Sequence, residues 1–347
     1  MFGKFSTLCR YYSHGGIARL SENITGRRLI TSNKNGFYFT NPSICVDGDG
    51  ILLSVRRMNN PIQISSFLGS ISYAKKPKTG IELCHLDFDL SDIRCATYVD
   101  AESFPHFIAD ARIFLANGLH YHIGTYMPPA GAVRPAILTP SADIIPLALP
   151  FPTMKKEKNW TPVISEKEGL FLCQPFPPVV REYSLTNGTL VRGVSVQTDG
   201  KLLAHGGTGP IRTAEGWLVI CRERFDVPRT GLVYTQRAIF LDDDFNVKWI
   251  TGPWVIDDLG IEVVNGAAIA QDRLYLAWGR DDREAHVAYL PLDQAIEWFR
   301  RVVFHPFIDA HNSFLTADLP MIVRPKVPVQ LFARLDRVRR NFDRRYQ

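Results

Sequence analysis

Residues 41–57 read NPSICVDGDGILLSVRR, and this stretch decides the fold. A polar residue opens a short run in which apolar and polar residues alternate, the turn sequence DGDG follows, and a second run ends in two arginines. Alternation with a period of two is typical of strands, and glycine or aspartate tolerates the positive φ that tight hairpins need. The stretch therefore predicts a β-hairpin.

The same pattern returns four times, with turns at positions 118, 169, 216 and 273 after the first at position 50. The further segments read DARIFLANGLHYHIGTY (110–126), NWTPVISEKEGLFLCQPF (159–176), TGPIRTAEGWLVICRE (208–223) and NGAAIAQDRLYLAWGR (265–280). Strand-built repeats of about 40–50 residues are typical of propeller blades. We therefore predict an all-β fold, a five-bladed β-propeller, over residues 36–292. A β-sandwich is the competing interpretation, but its strands have no reason to repeat one hairpin pattern.

The two ends of the chain are predicted to lie outside the propeller. Residues 1–35 are assigned to an N-terminal extension, and residues 293–347 to an arginine-rich tail with short C-terminal helical segments. Apolar residues recur at helical spacing over residues 293–304, behind Asp293 as the expected N-cap. A second predicted helix has its apolar face formed by Leu331, Leu335, Val338 and Phe342.

Composition points to a globular protein without a membrane span. Of 347 residues, 46% are hydrophobic and 22% are charged. No apolar run is long enough for a membrane-spanning helix, and the N-terminus lacks the apolar stretch of a secretory signal. We therefore expect a cytoplasmic protein. The six cysteines form no CxxC pair, so we expect free thiols rather than a disulfide framework or a zinc site.

One polar residue opens each predicted inner strand, eight to ten positions before the turn. These residues are Asn41, Asp110, Asn159, Thr208 and Asn265. Equivalent positions in successive blades lie at equivalent heights around a propeller's axis, so the five side chains would ring one mouth of the funnel, where Arg56 and Arg222 also return. Amide, carboxylate and guanidinium groups suit a polyhydroxylated ligand. The alternative is that these residues only cap strand ends, but five in register favour a ligand site.

At these residues the chain resembles the five-bladed propellers of the β-mannoside phosphorylase and mannosidase family, and their glycosyltransferase relatives. The resemblance runs from about Asn41 to Leu292 and rests on short motifs. The acidic-Asp-Pro-Arg motif that opens the second blade of the phosphorylases reads Ala109-Asp110-Ala111-Arg112 here, so the Asp and Arg remain while the acidic residue and the Pro are replaced. Further matching positions are Lys158-Asn159, Gly216-Trp217-Leu218 and Asp282.

The resemblance implies roles for some of these residues. Asp110 matches the catalytic acid, which acts through a sugar hydroxyl, and Asp282 matches the aspartate that grips sugar hydroxyls. Where the phosphorylases carry a phosphate-binding histidine, this chain has Arg222. That departure puts phosphorolysis of the usual type in doubt, although arginine can bind phosphate in a bidentate manner.

A second group of motifs resembles propellers associated with polysaccharide assembly. The matching stretches are EKNWTP (157–162), Tyr234 with Arg237, and GRDDREA (279–285). We therefore predict an inverting glycosyltransferase, mannosyl by the family it resembles, acting in polysaccharide or glycan synthesis. Two alternatives stay open, a glycoside phosphorylase or hydrolase acting on β-mannosides, and a non-catalytic carbohydrate-binding propeller.

The predicted chemistry assigns each candidate a task. Asp110 would move the proton, and Arg56, Lys158 and Arg222 would stabilise the phosphate of a sugar donor or free phosphate. Sugar hydroxyls would be held by Asn41, Asn159 and Asp282, while Arg112 would orient Asp110. Trp160, beside Asn159, would stack on a sugar face.

Other motifs carry weaker hypotheses. Hydrolysis needs a second carboxylate, and Glu223, next to Arg222, is the first candidate although spacing singles out none. The Gly206-Gly207-Thr208-Gly209 segment fits a tight turn better than a phosphate cradle, because the Lys-Ser/Thr ending of a P-loop is missing. His120 and His122 face one side of a strand without acidic or cysteine partners at ligand spacing, so we expect no metal and no cofactor.

The expected partners follow from this chemistry. They are a sugar donor, either a nucleotide sugar or a sugar phosphate, and a glycan acceptor. No nucleic acid is expected, because no reading motif accompanies the basic tail. The tail either packs on the propeller or makes a peripheral contact with the inner face of an anionic membrane, as basic amphipathic helices do.

Overall fold

A computed structural model describes eleven segments of the chain. They are residues 17–31, 36–59, 62–65, 70–73, 78–100, 107–128, 133–149, 158–163, 169–195, 204–227 and 231–302. Within these segments the fold is mostly β, and it is a β-propeller with a single α-helix.

Two short strands precede the first predicted hairpin. They are β1 (Ala18–Arg19) and β2 (Gly26–Ile30), separated by a 3₁₀ turn at Ser21–Asn23. β1 pairs in parallel with residues 254–255, and β2 pairs antiparallel with residues 285–289. Residues assigned from the sequence to the N-terminal extension therefore supply two strands to the last sheets of the propeller.

Sheets 1 and 2 follow from the first two predicted hairpins. Sheet 1 contains β3 (Tyr38–Asp47), β4 (Gly50–Met58), β7 (Thr79–Asp87) and β8 (Ile93–Val99), with a separate hairpin of β5 (Ile62–Ser65) and β6 (Ser70–Tyr73). Sheet 2 contains β9 (Phe107–Ala116), β10 (Leu119–Met127), β11 (Arg134–Leu138) and β12 (Ile144–Pro146). The Asn117–Gly118 turn has φ of 51° and 71°, the conformation that Asn-Gly hairpins favour.

Sheets 3, 4 and 5 contain the remaining described strands. Sheet 3 contains β13 (Thr161–Pro162), β14 (Leu170–Pro175), β15 (Pro178–Tyr183) and β16 (Leu190–Ser195). Sheet 4 contains β1 with β17 (Ala204–His205), β18 (Ile211–Thr213), β19 (Gly216–Val227), β20 (Gly231–Leu241), β21 (Val247–Ile250) and β22 (Trp254–Val255). Sheet 5 contains β2 with β23 (Glu262–Ala270), β24 (Arg273–Arg280) and β25 (Glu284–Pro291).

The prediction of five blades is wrong, because four of the described sheets have the four-stranded form of a blade. The fourth predicted repeat belongs instead to the seven-stranded sheet 4. Its central strands β19 and β20 are long, and each is flanked by two short strands rather than one. Pro210 lies between β17 and β18, and Pro253 between β21 and β22. Proline has no backbone N–H to donate, so it interrupts a flanking strand.

Apolar clusters join each sheet to the next. The pairs that represent them are Ile81 with Leu138, Phe114 with Phe171, Leu172 with Val219, Leu218 with Leu276, and Tyr275 with Val55. The last pair connects sheet 5 back to sheet 1, so the sheets form a closed ring. Burying one such side chain contributes about 1.5–3 kcal/mol. The core therefore fixes the inner strands relative to one another.

The helix α1 (Leu292–Arg301) begins one residue before the predicted start. Its Ala295 and Phe299 are buried in the cluster between sheets 4 and 5. Asp293 lies in the first turn rather than at the N-cap, which is Pro291. The second predicted helix lies outside the described residues. In the described part of the chain, no helix has the length and apolar character needed to cross a membrane.

The expectation of free thiols is wrong for two cysteines, because Cys84 and Cys95 form a disulfide. They lie directly opposite each other on β7 and β8, with 4.0 Å between their Cα atoms. Cys45 and Cys221 are buried free thiols, and Cys173 is half-buried. The register of two neighbouring strands, rather than the spacing of cysteines in the sequence, brings this pair together.

Candidate functional site

The inner strands of sheets 1, 2 and 5 each carry a bulge at the polar residue singled out from the sequence. The pairing register shifts at Asn41 in β3 and at Asn265 in β23. In sheet 2 it shifts where β9, near Asp110, faces Gly124 of β10. Asn41 and Asp110 have φ of 47° and 53°, a left-handed conformation that short polar side chains tolerate. A bulge re-aims a side chain, and here the re-aimed groups meet.

Six side chains, which we call the polar ring, are linked by hydrogen bonds around this point. They are Asn41, Asp110, Arg112, Asn159, Arg222 and Asn265. Asn41 Nδ2 donates to Asp110 Oδ1 at 2.8 Å, and Asn265 Nδ2 donates to Asn41 Oδ1 at 3.2 Å. Each of the five sheets supplies at least one member, with Asn159 standing just before β13. The structure thus brings together residues that lie far apart in the sequence.

Two arginines complete the polar ring. Arg112 Nη2 and Arg222 Nη1 both donate to Asn265 Oδ1, at 2.8 Å and 3.1 Å. Arg222 Nη2 also donates to Asn159 Oδ1 at 3.3 Å. Arg112 is buried, and its Nε donates to the carbonyl of Gly207 at 3.2 Å. The two guanidinium groups therefore hold sheets 2, 3, 4 and 5 at the same centre.

Asp110 is a carboxylate surrounded by positive charge. Arg56 Nη1 lies 3.9 Å from Asp110 Oδ1. Burial raises the pKa of Asp110, but the charges of Arg112, Arg56, Arg222 and Lys158 outweigh burial and leave this pKa below its usual value. The same burial lowers the pKa of Arg112 to about 10, against the opposing charge of Asp110. Asp110 is therefore ionised near neutral pH.

Asp282 is a partly buried carboxyl group beside the polar ring, and its pKa shifts in the opposite direction. It lies in the turn between β24 and β25 with φ of 50°, and Thr40 Oγ1 donates to it at 3.3 Å. Burial raises its pKa, Arg56 lowers it, and the charge of Asp110 raises it further. Two carboxyl groups in one site thus have pKa values shifted in opposite directions.

Gly279 allows sheets 5 and 1 to meet at the polar ring. A Cβ at this position would lie 2.9 Å from both the backbone nitrogen and Oδ1 of Asn41. Gly207 has a similar role, since a Cβ there would lie 2.2 Å from the carbonyl of Ile220. The glycine-rich segment at residues 206–209 therefore allows close packing of backbones, in agreement with the tight-turn interpretation.

Two residues expected near the ligand lie elsewhere. The indole of Trp160 is buried in the cluster between sheets 2 and 3, packs against Tyr183, and lies under the guanidinium of Arg181. The structure does not bring Trp160 to the polar ring: Asn159, with φ of 66°, places its amide there, while the indole of the next residue lies in the core. The hydroxyl of Thr208 accepts a hydrogen bond from the backbone of Ile220, so Thr208 caps a strand.

Glu223, the first candidate for a second catalytic carboxylate, is placed in a buried ion pair. Its Oε2 lies 2.9 Å from Arg237 Nε and accepts a hydrogen bond from Thr235. Its neighbour Arg222 points to the polar ring, as alternation along β19 requires. Glu223 therefore contributes to sheet 4 rather than to the site.

Tyr234 is near the site but was noticed from the sequence only as part of a motif. The guanidinium carbon of Arg222 lies 5.8 Å from the centre of its ring. Burial raises the pKa of Tyr234, the charges of Arg222 and Arg224 lower it, and those of Asp282 and Asp110 raise it. The motif at residues 234–237 was the available signal, but spacing alone could not show that Tyr234 approaches the polar ring.

The two histidines of β10 have local partners. His120 Nε2 lies 3.3 Å from Asp47 Oδ2, and His122 Nε2 shares a hydrogen bond with Ser54 Oγ at 2.9 Å. Burial lowers the pKa of His122 to about 3, with a smaller effect of His120. Among the described residues, no group of three or more His, Cys, Asp or Glu side chains is placed to hold a metal ion.

Comparison with known proteins gives the fold. No family model matches the chain, and no curated protein matches its sequence. A β-1,2-mannobiose phosphorylase from Listeria innocua, solved with β-1,2-mannobiose, aligns with a TM-score of 0.53 at 13% identity, covering 78% of this chain and 95% of that one. A glycosyl hydrolase from Bacteroides ovatus aligns with a TM-score of 0.50 at 14% identity, covering 79% and 93%. At these identities the similarity establishes a shared propeller fold.

Proposed function

We propose that this propeller breaks the glycosidic bond of a β-mannoside or a related glycoside, with Asp110 as the acid and inorganic phosphate as the attacking group. The observation that supports the proposal is the placement of one carboxylate among four cations at the centre of the polar ring. A site with this excess of positive charge suits an anionic co-substrate, because arginine and lysine bind phosphate through charge-assisted hydrogen bonds. The two structural neighbours are a β-1,2-mannobiose phosphorylase and a glycosyl hydrolase, which agrees with this class of reaction.

The proposed reaction balances as a single displacement. A phosphate oxygen attacks the anomeric carbon as the bond from that carbon to the leaving oxygen breaks. Phosphate bound among the cations raises the proton affinity of Asp110, so Asp110 takes up a proton from solvent. Asp110 then gives this proton to the leaving oxygen, directly or through a sugar hydroxyl, and the sugar 1-phosphate forms with inverted configuration. Arg56, Lys158 and Arg222 hold the phosphate, where their charge also stabilises the charge that develops.

The remaining residues bind and orient. Asn41, Asn159 and Asp282 offer amide and carboxyl groups to sugar hydroxyls, and each can make two directed hydrogen bonds. Arg112 is a positioning residue, because it also donates to the carbonyl oxygen of Asp110 and so fixes the backbone that carries the acid. Residues 36–292 would contain this whole site, as the sequence predicts.

Hydrolysis and glycosyl transfer are the competing outcomes. An inverting hydrolase needs a base that activates water. The described carboxyl group beside Asp110 is Asp282, which we assign to sugar hydroxyls instead. Transfer from a sugar 1-phosphate is phosphorolysis in reverse, so the inverting glycosyltransferase predicted from the sequence would use the same residues. A nucleotide sugar as donor, a glycan acceptor and a membrane contact of the tail remain predictions.

The test is a turnover screen by mass spectrometry. Purified protein is incubated with β-1,2-mannobiose and other mannooligosaccharides with and without phosphate, and separately with sugar 1-phosphates and nucleotide sugars. We expect phosphate-dependent formation of a sugar 1-phosphate that is lost in Asp110→Asn. Breakdown that ignores phosphate would replace the proposal by hydrolysis, and product from a nucleotide sugar alone would replace it by transfer. Sugar binding without turnover of any donor would identify a binding propeller.

A further inference from the structure

Asn265 stands at the centre of the polar ring and has not been assigned a task. It lies in the bulge of β23 and its side chain is buried. Its amide makes three hydrogen bonds to the ring, two from arginines and one to Asn41. No other member of the polar ring contacts as many of the others.

The direction of these bonds fixes the orientation of two amides in turn. Guanidinium groups only donate, so the atom of Asn265 that faces Arg112 and Arg222 must be the carbonyl oxygen. Its Nδ2 then points to Asn41 and requires the carbonyl oxygen of Asn41 there. Asn41 is left with its Nδ2 facing Asp110 Oδ1, at 2.8 Å. A flip of either amide would place donors against donors.

We propose that Asn265 is a positioning residue that transmits the placement of Arg112 and Arg222 through Asn41 to the carboxylate of Asp110. The inference rests on the proposed function in so far as Asp110 is the acid that meets the substrate. The two arginines are cations of the proposed site, so the relay joins the positive groups and the proton donor into one unit. Asn265 needs no contact with the substrate to affect the reaction.

The residue type also fits this role. Aspartate could accept from both arginines, but an ionised aspartate could not donate to Asn41. It would also add a negative charge next to Asp110 and remove part of the excess positive charge. Leucine has nearly the same shape and removes both functions without adding charge. Comparing Asn265→Asp with Asn265→Leu therefore separates the effect of an added negative charge from the effect of losing the hydrogen bonds of Asn265.

The relay is tested by a double-mutant cycle on turnover of β-1,2-mannobiose with phosphate. We expect Asn265→Leu and Asn41→Ala each to lower kcat by about ten- to a hundredfold, the usual effect of leaving a buried hydrogen-bonding group unpaired. The effects of substitutions within one hydrogen-bond relay on kcat do not add, so the double variant should be no slower than the slower single variant. Effects that multiply would overturn the relay. Asn187→Asp is the control, because it keeps the acceptor of an exposed turn and should leave kcat unchanged.

A second measurement does not depend on turnover. Carboxyl-¹³C NMR of aspartate-labelled protein, assigned with Asp110→Asn, gives the titration midpoint of Asp110. We expect this midpoint to rise in Asn265→Leu, because the hydrogen bond from Asn41 is no longer oriented, and to rise further in Asn265→Asp. A midpoint that stays at the parental value in folded Asn265→Leu would overturn the inference even if the enzyme is active. If the titration midpoint of Asp110 rises as expected in both variants but the parent shows no turnover, the result would count against the proposed function alone.

Discussion

Asp110 and Glu262 are carboxyl groups whose pKa values shift in opposite directions, although burial raises both. Burial raises the pKa of Glu262 to about 8. The charge of Arg280 opposes this shift, and the charge of Asp257 adds to it. For Asp110 the same effect of burial is outweighed by four cations. The comparison shows that nearby charge, and not burial alone, decides which carboxyl group is ionised.

The surroundings of Glu262 explain the difference. Its nearest cation, Arg280, has Nε at 3.9 Å from Glu262 Oε1 but also pairs with Asp257 at 3.4 Å. Arg27, on β2, binds Asp257 through two hydrogen bonds of 2.7 Å. These contacts fasten the N-terminal strand of sheet 5 to the loop before β23. The Glu262 region therefore ties β2 to the loop between sheets 4 and 5. In the Asp110 region, four cations lie around one carboxylate.

The largest expected effect comes from exchanging each acid for its amide. Asp110→Asn should lower kcat with phosphate and β-1,2-mannobiose by about 10²–10⁴-fold, the usual value of a positioned proton donor. Glu262→Gln is the matched control and should stay within a few-fold of the parent. Equal losses in the two variants would show that buried acids in this fold act through stability, and the distinction between the regions would fail.

A smaller effect is expected from filling the contact between sheets 5 and 1. In Gly279→Ala the new Cβ would approach the backbone of Asn41 to 2.9 Å, so Asn41 must move away from Asp110. Overpacking of this kind costs about 1–3 kcal/mol in the free energy of unfolding, measured by urea denaturation. The loss of kcat should exceed that of Gly193→Ala, where the nearest atom is 3.5 Å away. Normal turnover in a destabilised Gly279→Ala variant would contradict the role given to Asn41.

Turnover should change least in Glu262→Gln, whose expected effect is on the pH dependence of the free energy of unfolding. The folded-state pKa of Glu262 is about 8 against an ordinary value of 4.5, so its contribution to stability is complete below pH 4.5 and is lost as the pH rises through 8. Glu262→Gln should therefore gain stability relative to the parent across this range, by at most about 1.4 kcal/mol per pH unit. Urea denaturation of both proteins from pH 4.5 to 9 measures this gain. A difference that does not change with pH would mean that Glu262 is ionised in the fold.

Much of the site was predictable because the chain repeats. Placing five hairpins in register predicted that Asn41, Asp110 and Asn159 would converge. In the structure Asn41 donates a hydrogen bond to Asp110, and Asn159 joins the same polar ring through Arg222. The turn residues were equally informative, since Asn117–Gly118 can only be read as a tight turn. Register along a repeat carries this information without any tertiary contact.

The rest depends on contacts that spacing cannot show. Trp160 was expected at the ligand because it neighbours Asn159, but the backbone at Asn159 is left-handed and the indole packs in the core. The seven strands of sheet 4 include β1, which comes from the far end of the chain and has only two residues. Asn265 accepts hydrogen bonds from two arginines that belong to other sheets. Such features follow from packing between distant segments, so local pattern does not reveal them.

The most direct test of the account measures protons taken up when phosphate binds. If Asp110 is ionised only because four cations surround it, an anion that neutralises those cations should raise its proton affinity. Isothermal titration calorimetry of inorganic phosphate binding, at neutral pH in two buffers of different ionisation enthalpy, reports the proton uptake. We expect net uptake by the parent that is absent in Asp110→Asn and retained in Glu262→Gln. Phosphate binding with the same proton balance in the parent and in Asp110→Asn, or no phosphate binding at all, would contradict the account.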